Sequence, residues 1–157
     1  KSNRQSEESI MNLEVLIEQL EIDEGLVEAV YLDHLGLKTC GIGHLCRKNE
    51  PEYAMEVGDP VSRERINELF NEDVESVLSD CNRLYPDFDE LPEEAKQIIC
   101  NMMFNMGLGR LSAFKGMKRG VDARDWESAA NEMVDSKWYT QVTNRAERLV
   151  ERMRQIQ

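Results

Sequence analysis

An apolar stripe with helical spacing marks the first predicted helix of the chain. Its members follow steps of three and four along the sequence: Ile10, Leu13, Leu16, Ile17 and Leu20. Gly25 comes soon after, and glycine is the usual residue where a helix ends in a left-handed conformation. The pattern predicts a helix that ends near Glu24, preceded by a flexible polar arm over residues 1–9.

The hydrophobic pattern then changes to one typical of extended chain. Residues 26–33 predict a strand, and residues 36–45 predict a hairpin in which β-branched residues alternate with glycines. Gly41 and Gly43 can adopt positive φ or allow two strands to approach closely, so they are expected at the turn. The following residues, 47–60, are expected to form a charged loop.

A long helix is predicted over about 62–81, with Ser62 as its N-cap after the break at Pro60. Its apolar face consists of Ile66, Leu69, Phe70, Val74, Val77, Leu78 and Cys81. Asp73 lies on the same face, and a buried carboxylate needs a cationic or hydrogen-bonding partner. His44 is the obvious candidate, which favours a structural histidine over a catalytic one.

The second half of the sequence is helical throughout. A helix is predicted from Pro92 to Met106, closed by Gly107, and its methionine-rich stripe indicates a second hydrophobic centre. Shorter helices follow, and a capping pair of Asn144 and Glu147 is expected to begin the last one. The prediction is a mainly helical α+β fold with a small hairpin-containing lobe over about 10–61 and a helical lobe over about 82–157.

Composition and charge exclude several classes of function. The 157 residues include 19 basic and 31 acidic side chains, a net charge of −12, which disfavours nucleic acid and anionic membranes as partners. The hydrophobic fraction of 41% argues against disorder. We find neither a run of about 20 apolar residues nor a signal-peptide pattern, so membrane insertion is not expected.

The four cysteines lack any C-x-x-C pair, so the sequence predicts no metal site and no cofactor. Buried reduced thiols are favoured over disulfides. Cys81 and Cys100 could approach each other, whereas Cys40 and Cys46 are not expected to lie opposite one another.

Candidate chemistry lies at the end of the first helix and in the hairpin. At the carboxyl end of that helix, the helix dipole favours the protonated acid of Glu24. Asp33 follows nine residues later, and Thr39 could hold a water beside it. An acid, a base and a positioned water are sufficient to cleave a glycosidic bond with inversion. With so many acidic residues, solvated surface remains the alternative for the pair.

Several segments in order along the chain resemble one family. These segments, within the span from about Asn12 to Val150, read EIDEGLVEAVYLD, TCGIGHL, LFNEDV, NMMFNMG and SKWYTQVTNRAERL. They resemble the phage-type lysozymes, the endolysins of T-even bacteriophages and their relatives. The resemblance implies a single two-lobed lysozyme domain over 10–157 whose lobes are joined by the long helix. It also implies a bacteriolytic muramidase that cuts the β-1,4 bond between N-acetylmuramic acid and N-acetylglucosamine in peptidoglycan.

The resemblance also assigns roles to individual positions. It implies a general acid, a water-steering carboxylate and an assisting hydroxyl at Glu24, Asp33 and Thr39. It further implies a buried ion pair between His44 and Asp73, and an arginine at Arg145 that contacts the acid.

Glycan contacts are implied at Leu45, Phe104, Trp138 and Gln141. For Phe104 and Trp138, core packing is an equally good alternative. The sequence departs from the family at Met117, where relatives carry a small hydroxyl residue, and at Glu132, where they carry an amide.

The expected partner is therefore a peptidoglycan glycan strand, and a monomer is expected. The site of action would be the bacterial cell wall, reached as a phage endolysin released to the periplasm or as a secreted protein. Two alternatives are a lysozyme-like glycan-binding or structural module of a larger phage or cell-wall protein, and a transglycosylase that forms an anhydro product. An intact set of Glu24, Asp33 and Thr39 favours the hydrolase over both.

Overall fold

A computed structural model describes residues 11–157, so the predicted arm over residues 1–9 lies outside the described residues. The strands are β1 (Val27–Leu32), β2 (Lys38–Gly41) and β3 (His44–Leu45). The α-helices are α1 (Leu13–Glu24), α2 (Pro51–Ala54), α3 (Arg63–Leu84), α4 (Glu93–Met106), α5 (Leu108–Leu111), α6 (Lys115–Asp122), α7 (Trp126–Val134), α8 (Lys137–Gln141) and α9 (Thr143–Arg154). The mainly helical α+β class is confirmed.

The chain divides into two compact units. Residues 14–76 form one, which we call the hairpin unit because it contains the whole sheet. Residues 77–157, with the described residues before Glu14, form the other, which we call the helical unit.

The sheet of the hairpin unit is antiparallel with strand order β1-β2-β3. Gly41 and Gly43 have φ values of 63° and 61°, so both turn positions require the left-handed conformation that glycine adopts without strain. α1 ends at Glu24, and Gly25 follows with φ 76°. The predicted helix end and hairpin turn are therefore confirmed.

Helix α3 begins as its capping pattern predicts. The Ser62 hydroxyl oxygen accepts a hydrogen bond from the Arg65 N–H at 3.1 Å, which satisfies one of the free donors at the helix start. The helix continues to Leu84, almost one turn beyond the expected end.

The expectation of a charged loop over residues 47–60 is wrong in one respect, because this segment contains the one-turn helix α2. Pro51 occupies its first turn, where the missing N–H does no harm. Glu52 is buried and accepts hydrogen bonds from the Arg65 guanidinium, the shortest at 2.9 Å. The Lys38 ammonium donates to the carbonyl of Tyr53 at 2.9 Å, so this loop is fastened to both α3 and β2.

The helical unit contains the second hydrophobic centre that the methionine stripe indicates. Its buried residues on α4 include Ile98, Ile99, Met102 and Met103. Gly107 ends α4 with φ 81°, as expected. The predicted cap of α9 is wrong: the helix begins at Thr143, and the preceding Val142 provides no side-chain cap. Its N–H instead donates to Trp138 at 3.0 Å, so α9 follows directly on the last turn of α8.

The four cysteines are free, buried and arranged as two contacting pairs. The sulfur atoms of Cys81 and Cys100 are 3.8 Å apart. Cys40 and Cys46 are 3.9 Å apart, contrary to the expectation for this pair. The N–H of Cys46 donates to Lys38 at 3.0 Å, so strand pairing continues past β3 and brings both thiols to one face.

Candidate active site

Asp33 follows the last residue of β1, where backbone donors hold its carboxylate. Its Oδ1 accepts hydrogen bonds from the N–H of Leu35 at 2.8 Å and of Leu37 at 2.9 Å. A turn that is closed by hydrogen bonds from backbone N–H groups to a side chain is typical of aspartate, whose short side chain reaches nearby donors. Among the residues that the structure describes, the other oxygen, Oδ2, receives no hydrogen bond.

Thr39 is fastened to the same peptide segment. Its side-chain hydroxyl donates to the Leu37 carbonyl at 3.1 Å, and that carbonyl also accepts from the Asp33 N–H at 2.9 Å. Leu37 therefore links the carboxylate and the hydroxyl through its two backbone groups. Because the threonine hydrogen is engaged, its oxygen lone pairs are the groups left to accept a hydrogen bond.

Glu24 is the last residue of α1 and lies against the hairpin turn. A Cβ placed on Gly43 would come within 2.6 Å of the Glu24 Oε1 and 3.1 Å of its Cβ. Only glycine leaves room for the acid there. This contact brings the carboxyl of Glu24 to the hairpin that carries Thr39.

Tyr31 is a residue of this region that the sequence patterns did not single out. It pairs directly with Thr39 across β1 and β2. Burial, and after it the charges of Glu24 and Asp33, raise the pKa of the Tyr31 phenol. Position 31 belongs to the predicted strand, but only the strand register shows which residue it faces.

His44 forms the ion pair that was expected with Asp73, and a second one that was not. Its Nδ1 lies 2.6 Å from Asp73 Oδ2, and its Nε2 lies 2.8 Å from Glu50 Oε1. Burial alone would lower the pKa of His44, but the hydrogen bonds to the two carboxylates outweigh it and raise the pKa. The histidine is 2% exposed and both its ring nitrogens are engaged, which is the arrangement that the predicted structural role requires.

Glu50 was missed because it lies in the segment interpreted as a loop. Its carboxylate also accepts a hydrogen bond from the Arg47 N–H at 2.7 Å. Burial would raise its pKa, but the bonds from His44 and Arg47 lower it below the usual value.

The remaining expected site residues of the helical unit have partners of their own. Arg145 is buried, and its Nε donates to the side-chain oxygen of Asn101 at 2.8 Å. Trp138 is 2% exposed, and its indole N–H donates to Asn105 at 2.8 Å. The exposed Gln141 accepts a hydrogen bond from Arg110 at 2.9 Å.

Other positions differ in exposure. Leu45 is 52% exposed and Phe104 is half-buried. Met117, by contrast, is 1% exposed and belongs to the core of the helical unit. Glu132 is exposed and lies against Gly116, where an added Cβ would come 2.3 Å from Oε2. Glycan contact at Leu45 and Phe104 stays a prediction.

Residues 11–157 contain no group of three or more histidine, cysteine or acidic side chains that could hold a metal ion. They also contain no helix long and apolar enough to cross a membrane.

The hairpin unit therefore contains two acidic side chains, Glu24 and Asp33, and the Thr39 hydroxyl at or beside the hairpin. The phage lysozyme family model matches residues 21–155, and the chain belongs to this family. The resemblance inferred from the motifs is therefore confirmed.

Individual relatives differ greatly in length. The chain is 30% identical over 152 residues to the pre-baseplate central spike protein of Enterobacteria phage T4, covering 85% of this chain but 26% of that protein. It is 29% identical to the probable T4-type lysozyme 2 of Dictyostelium discoideum, covering 86% of this chain and 91% of that one. A peptidoglycan hydrolase of Pseudomonas phage phiKMV is 30% identical over 96 residues, which are 61% of this chain and 11% of that protein.

Proposed function

We propose that the chain is a glycoside hydrolase of peptidoglycan, and more closely a muramidase that hydrolyses the β-1,4 bond between N-acetylmuramic acid and N-acetylglucosamine with inversion. The observation that carries the proposal is the hairpin, which presses Gly43 against Glu24 and holds Asp33 and Thr39 through Leu37. Relatives named as lysozymes and as a peptidoglycan hydrolase support the substrate class.

In this mechanism Glu24 donates a proton to the glycosidic oxygen as the bond to the anomeric carbon breaks. A water attacks that carbon from the opposite face and loses a proton to Asp33. The two backbone bonds engage Oδ1 and leave Oδ2 available for this task. The Thr39 oxygen accepts a hydrogen bond from the second O–H of the water, since its own hydrogen is donated to the Leu37 carbonyl.

Glycan contacts are proposed for residues of each unit taken separately. In the hairpin unit, the exposed Leu45 is available to a sugar ring. In the helical unit, we retain Phe104, Trp138 and Gln141 from the resemblance. The catalytic result would be bacteriolysis at the cell wall.

A second candidate function is a glycan-binding module that does not cleave. The similarity to a segment making up 26% of the T4 spike protein favours it, because a module of a longer assembly can act through binding alone. The complete set of Glu24, Asp33 and Thr39 favours hydrolysis.

The deciding experiment is digestion of purified peptidoglycan with the wild-type chain and two variants. Glu24→Gln removes the proton to be donated, and release of reducing ends should fall by at least about a hundredfold. Glu21→Gln makes the same exchange at an exposed position of α1 and should leave the rate unchanged.

The product distinguishes the mechanisms. Borohydride should reduce the sugar at the new reducing ends, and that sugar should be N-acetylmuramic acid. Because the mechanism inverts the anomeric carbon, NMR of fresh product should show the α anomer first. New reducing ends on glucosamine, or Glu24→Gln activity within tenfold of wild type, would contradict the muramidase. An anhydro product would indicate the transglycosylase, and glycan binding without any cleavage would indicate the module.

A further inference from the structure

The pairing of β1 with β2 contains an irregularity that changes which residue faces Thr39. Val27 pairs with Gly41, and Tyr31 pairs with Thr39, with a shift of register between the two pairs. Regular antiparallel pairing from Val27 onward would instead place Ala29 opposite Thr39. The bulge therefore substitutes an aromatic hydroxyl for a methyl group at this position, and bulges commonly re-aim side chains beside active sites.

Backbone hydrogen bonds on the far edge of β1 hold this bulge in place. The Val30 N–H donates to Asp59 at 2.9 Å, and the Val30 carbonyl accepts from Gly58 at 2.8 Å. The Val61 N–H donates to Glu28 at 3.0 Å. The segment after α2 pairs with the bulge through these bonds. The irregular register is therefore stabilised by a tertiary contact and not by the sequence of β1 alone.

The shifted register creates a row of three side chains on one face of the sheet. Tyr31 on β1 is opposite Thr39 on β2, and Thr39 is opposite Leu45 on β3. Directly opposed residues have Cβ atoms about 5 Å apart and share a face. Two members of the row already have proposed roles toward water and glycan, and the third is Tyr31.

The surroundings of the Tyr31 phenol suit a hydrogen-bond donor. The phenol is half-buried, and the titratable groups that act on it are Glu24 of α1, Asp33 after β1 and, on the other face of the sheet, the thiols of Cys40 and Cys46. Burial and these groups raise its pKa, so the hydroxyl keeps its hydrogen at neutral pH. Within residues 11–157 the hydroxyl makes no hydrogen bond to another residue.

We propose that Tyr31 is a further positioning residue of the candidate active site, whose phenol donates a hydrogen bond to the water held by Asp33 and Thr39. The inference rests on the proposed hydrolysis. The water would donate one hydrogen bond to Asp33 and one to Thr39, and it would accept one hydrogen bond from Tyr31. Its remaining lone pair is then directed at the anomeric carbon.

The first test compares Tyr31→Phe with wild type in hydrolysis of a soluble peptidoglycan oligosaccharide. We expect kcat to fall about tenfold with KM within twofold, because the lost bond orients water and not the sugar. We also expect the acid limb of the pH–rate profile to move to higher pH, because the ionised carboxylate accepts a hydrogen bond from the water, and that water is held less firmly without the phenol. Tyr53→Phe removes the phenol of an exposed tyrosine in the same unit and should change none of these.

The second test does not depend on turnover. Tyr31 labelled at its Cζ carbon should titrate by NMR above the ordinary tyrosine value, and Glu24→Gln and Asp33→Asn should each lower its midpoint. Glu21→Gln is the matched control and should leave the midpoint unchanged. A wild-type chain that cleaves nothing but shows these shifts would overturn the proposed function and the role toward its water, while the placement of the phenol beside the two carboxylates would stand.

Two results would overturn the Tyr31 proposal. One is a midpoint of the Tyr31 titration that is the same in Glu24→Gln, in Asp33→Asn and in wild type. The other is a Tyr31→Phe enzyme whose kcat and pH–rate profile superimpose on those of wild type. If Tyr31→Phe does not fold, 3-fluorotyrosine at position 31 preserves the shape, strengthens the donor and should move the acid limb to lower pH instead.

Discussion

At the scale of single residues, the two glycines of the hairpin turn perform different tasks. An added Cβ at Gly41 would come 2.9 Å from the Ile66 side chain of α3, whereas one at Gly43 would come 2.6 Å from the Glu24 carboxylate. Both have positive φ, which strains any other residue. One glycine therefore allows the hairpin to pack on the long helix, and the other leaves room for the candidate acid.

Gly43→Ala should lower activity beyond what its loss of stability explains. The strained backbone is expected to cost about 1–2 kcal/mol of unfolding free energy, and the new methyl group should displace Glu24 and lower the rate at least tenfold. Gly107→Ala is the matched control, because Gly107 also has positive φ but nothing lies within 4 Å of an added Cβ. Equal losses of activity in the two variants would contradict the role of Gly43.

His44 and Glu50 form a pair whose contribution to stability depends on pH. The raised pKa of His44 gives stability that is fully present below its ordinary 6.5 and lost as pH rises through the folded value. The lowered pKa of Glu50 gives stability that is present above its ordinary 4.5 and lost as pH falls through the folded value. The pair is therefore most stabilising between about 4.5 and 6.5.

Thermal unfolding of Glu50→Gln across this range tests the pair. We expect a loss of about 1.5–3 kcal/mol near pH 5.5, the size of a hydrogen bond to a charged group, and a smaller loss at pH 9. Glu56→Gln, at an exposed position of the same loop, should have no comparable effect. A loss that is the same at every pH would mean that Glu50 acts through packing alone.

At the scale of secondary-structure elements, helix ends position the candidate site. α1 stops at Glu24 because Gly25 takes φ 76°, which leaves the acid at the very end of the helix. α3 begins at the Ser62 cap and carries Asp73, the partner of His44. The bulge in β1 then sets which residue faces Thr39.

Ser62→Ala should lower the free energy of unfolding by about 1 kcal/mol, because the Arg65 N–H at the start of α3 loses its acceptor. Chemical denaturation measures the change. Ser79→Ala, at an exposed position inside the same helix, should be neutral or slightly stabilising, since alanine has the higher helix propensity. A destabilisation equal to that of Ser62→Ala would show that the cap is not the cause.

At the scale of the whole molecule, each unit contains one pair of buried thiols. Burial, followed by the neighbouring Cys46, raises the pKa of Cys40 to about 12. The hydrogen bond with Cys100 and burial also raise the pKa of Cys81. Such thiols are protonated at neutral pH, and only the thiolate reacts readily.

Thiol titration under non-reducing conditions should therefore find four groups after denaturation and almost none in the folded protein at pH 7. During denaturation, each pair of thiols should react with the reagent as the unit that contains it unfolds. The count of four tests the reduced state, and fewer than four groups in the denatured chain would indicate a disulfide. Rapid reaction of the native protein would show that the pairs are not protected by burial.

Much of the fold could be predicted from local patterns. Helical spacing and glycine fixed the end of α1, and the serine after Pro60 fixed the start of α3, because both signals depend on neighbouring residues in the chain. The partner of His44 on α3 was also predictable, since a buried carboxylate must be compensated. The motifs identified the family and named Glu24, Asp33 and Thr39 as candidates.

Other features depended on contacts between distant segments. Glu50 joins His44 only because its loop folds into α2, and Cys46 meets Cys40 only because pairing continues past β3. The position of Tyr31 opposite Thr39 depends on a bulge held by a segment about thirty residues away. The sequence by itself determined most of the helices and strands, the family and the candidate acid, base and hydroxyl, because these follow from local periodicity and motif. Strand register and loop packing, which pair residues far apart in the chain, were decided only by the tertiary structure.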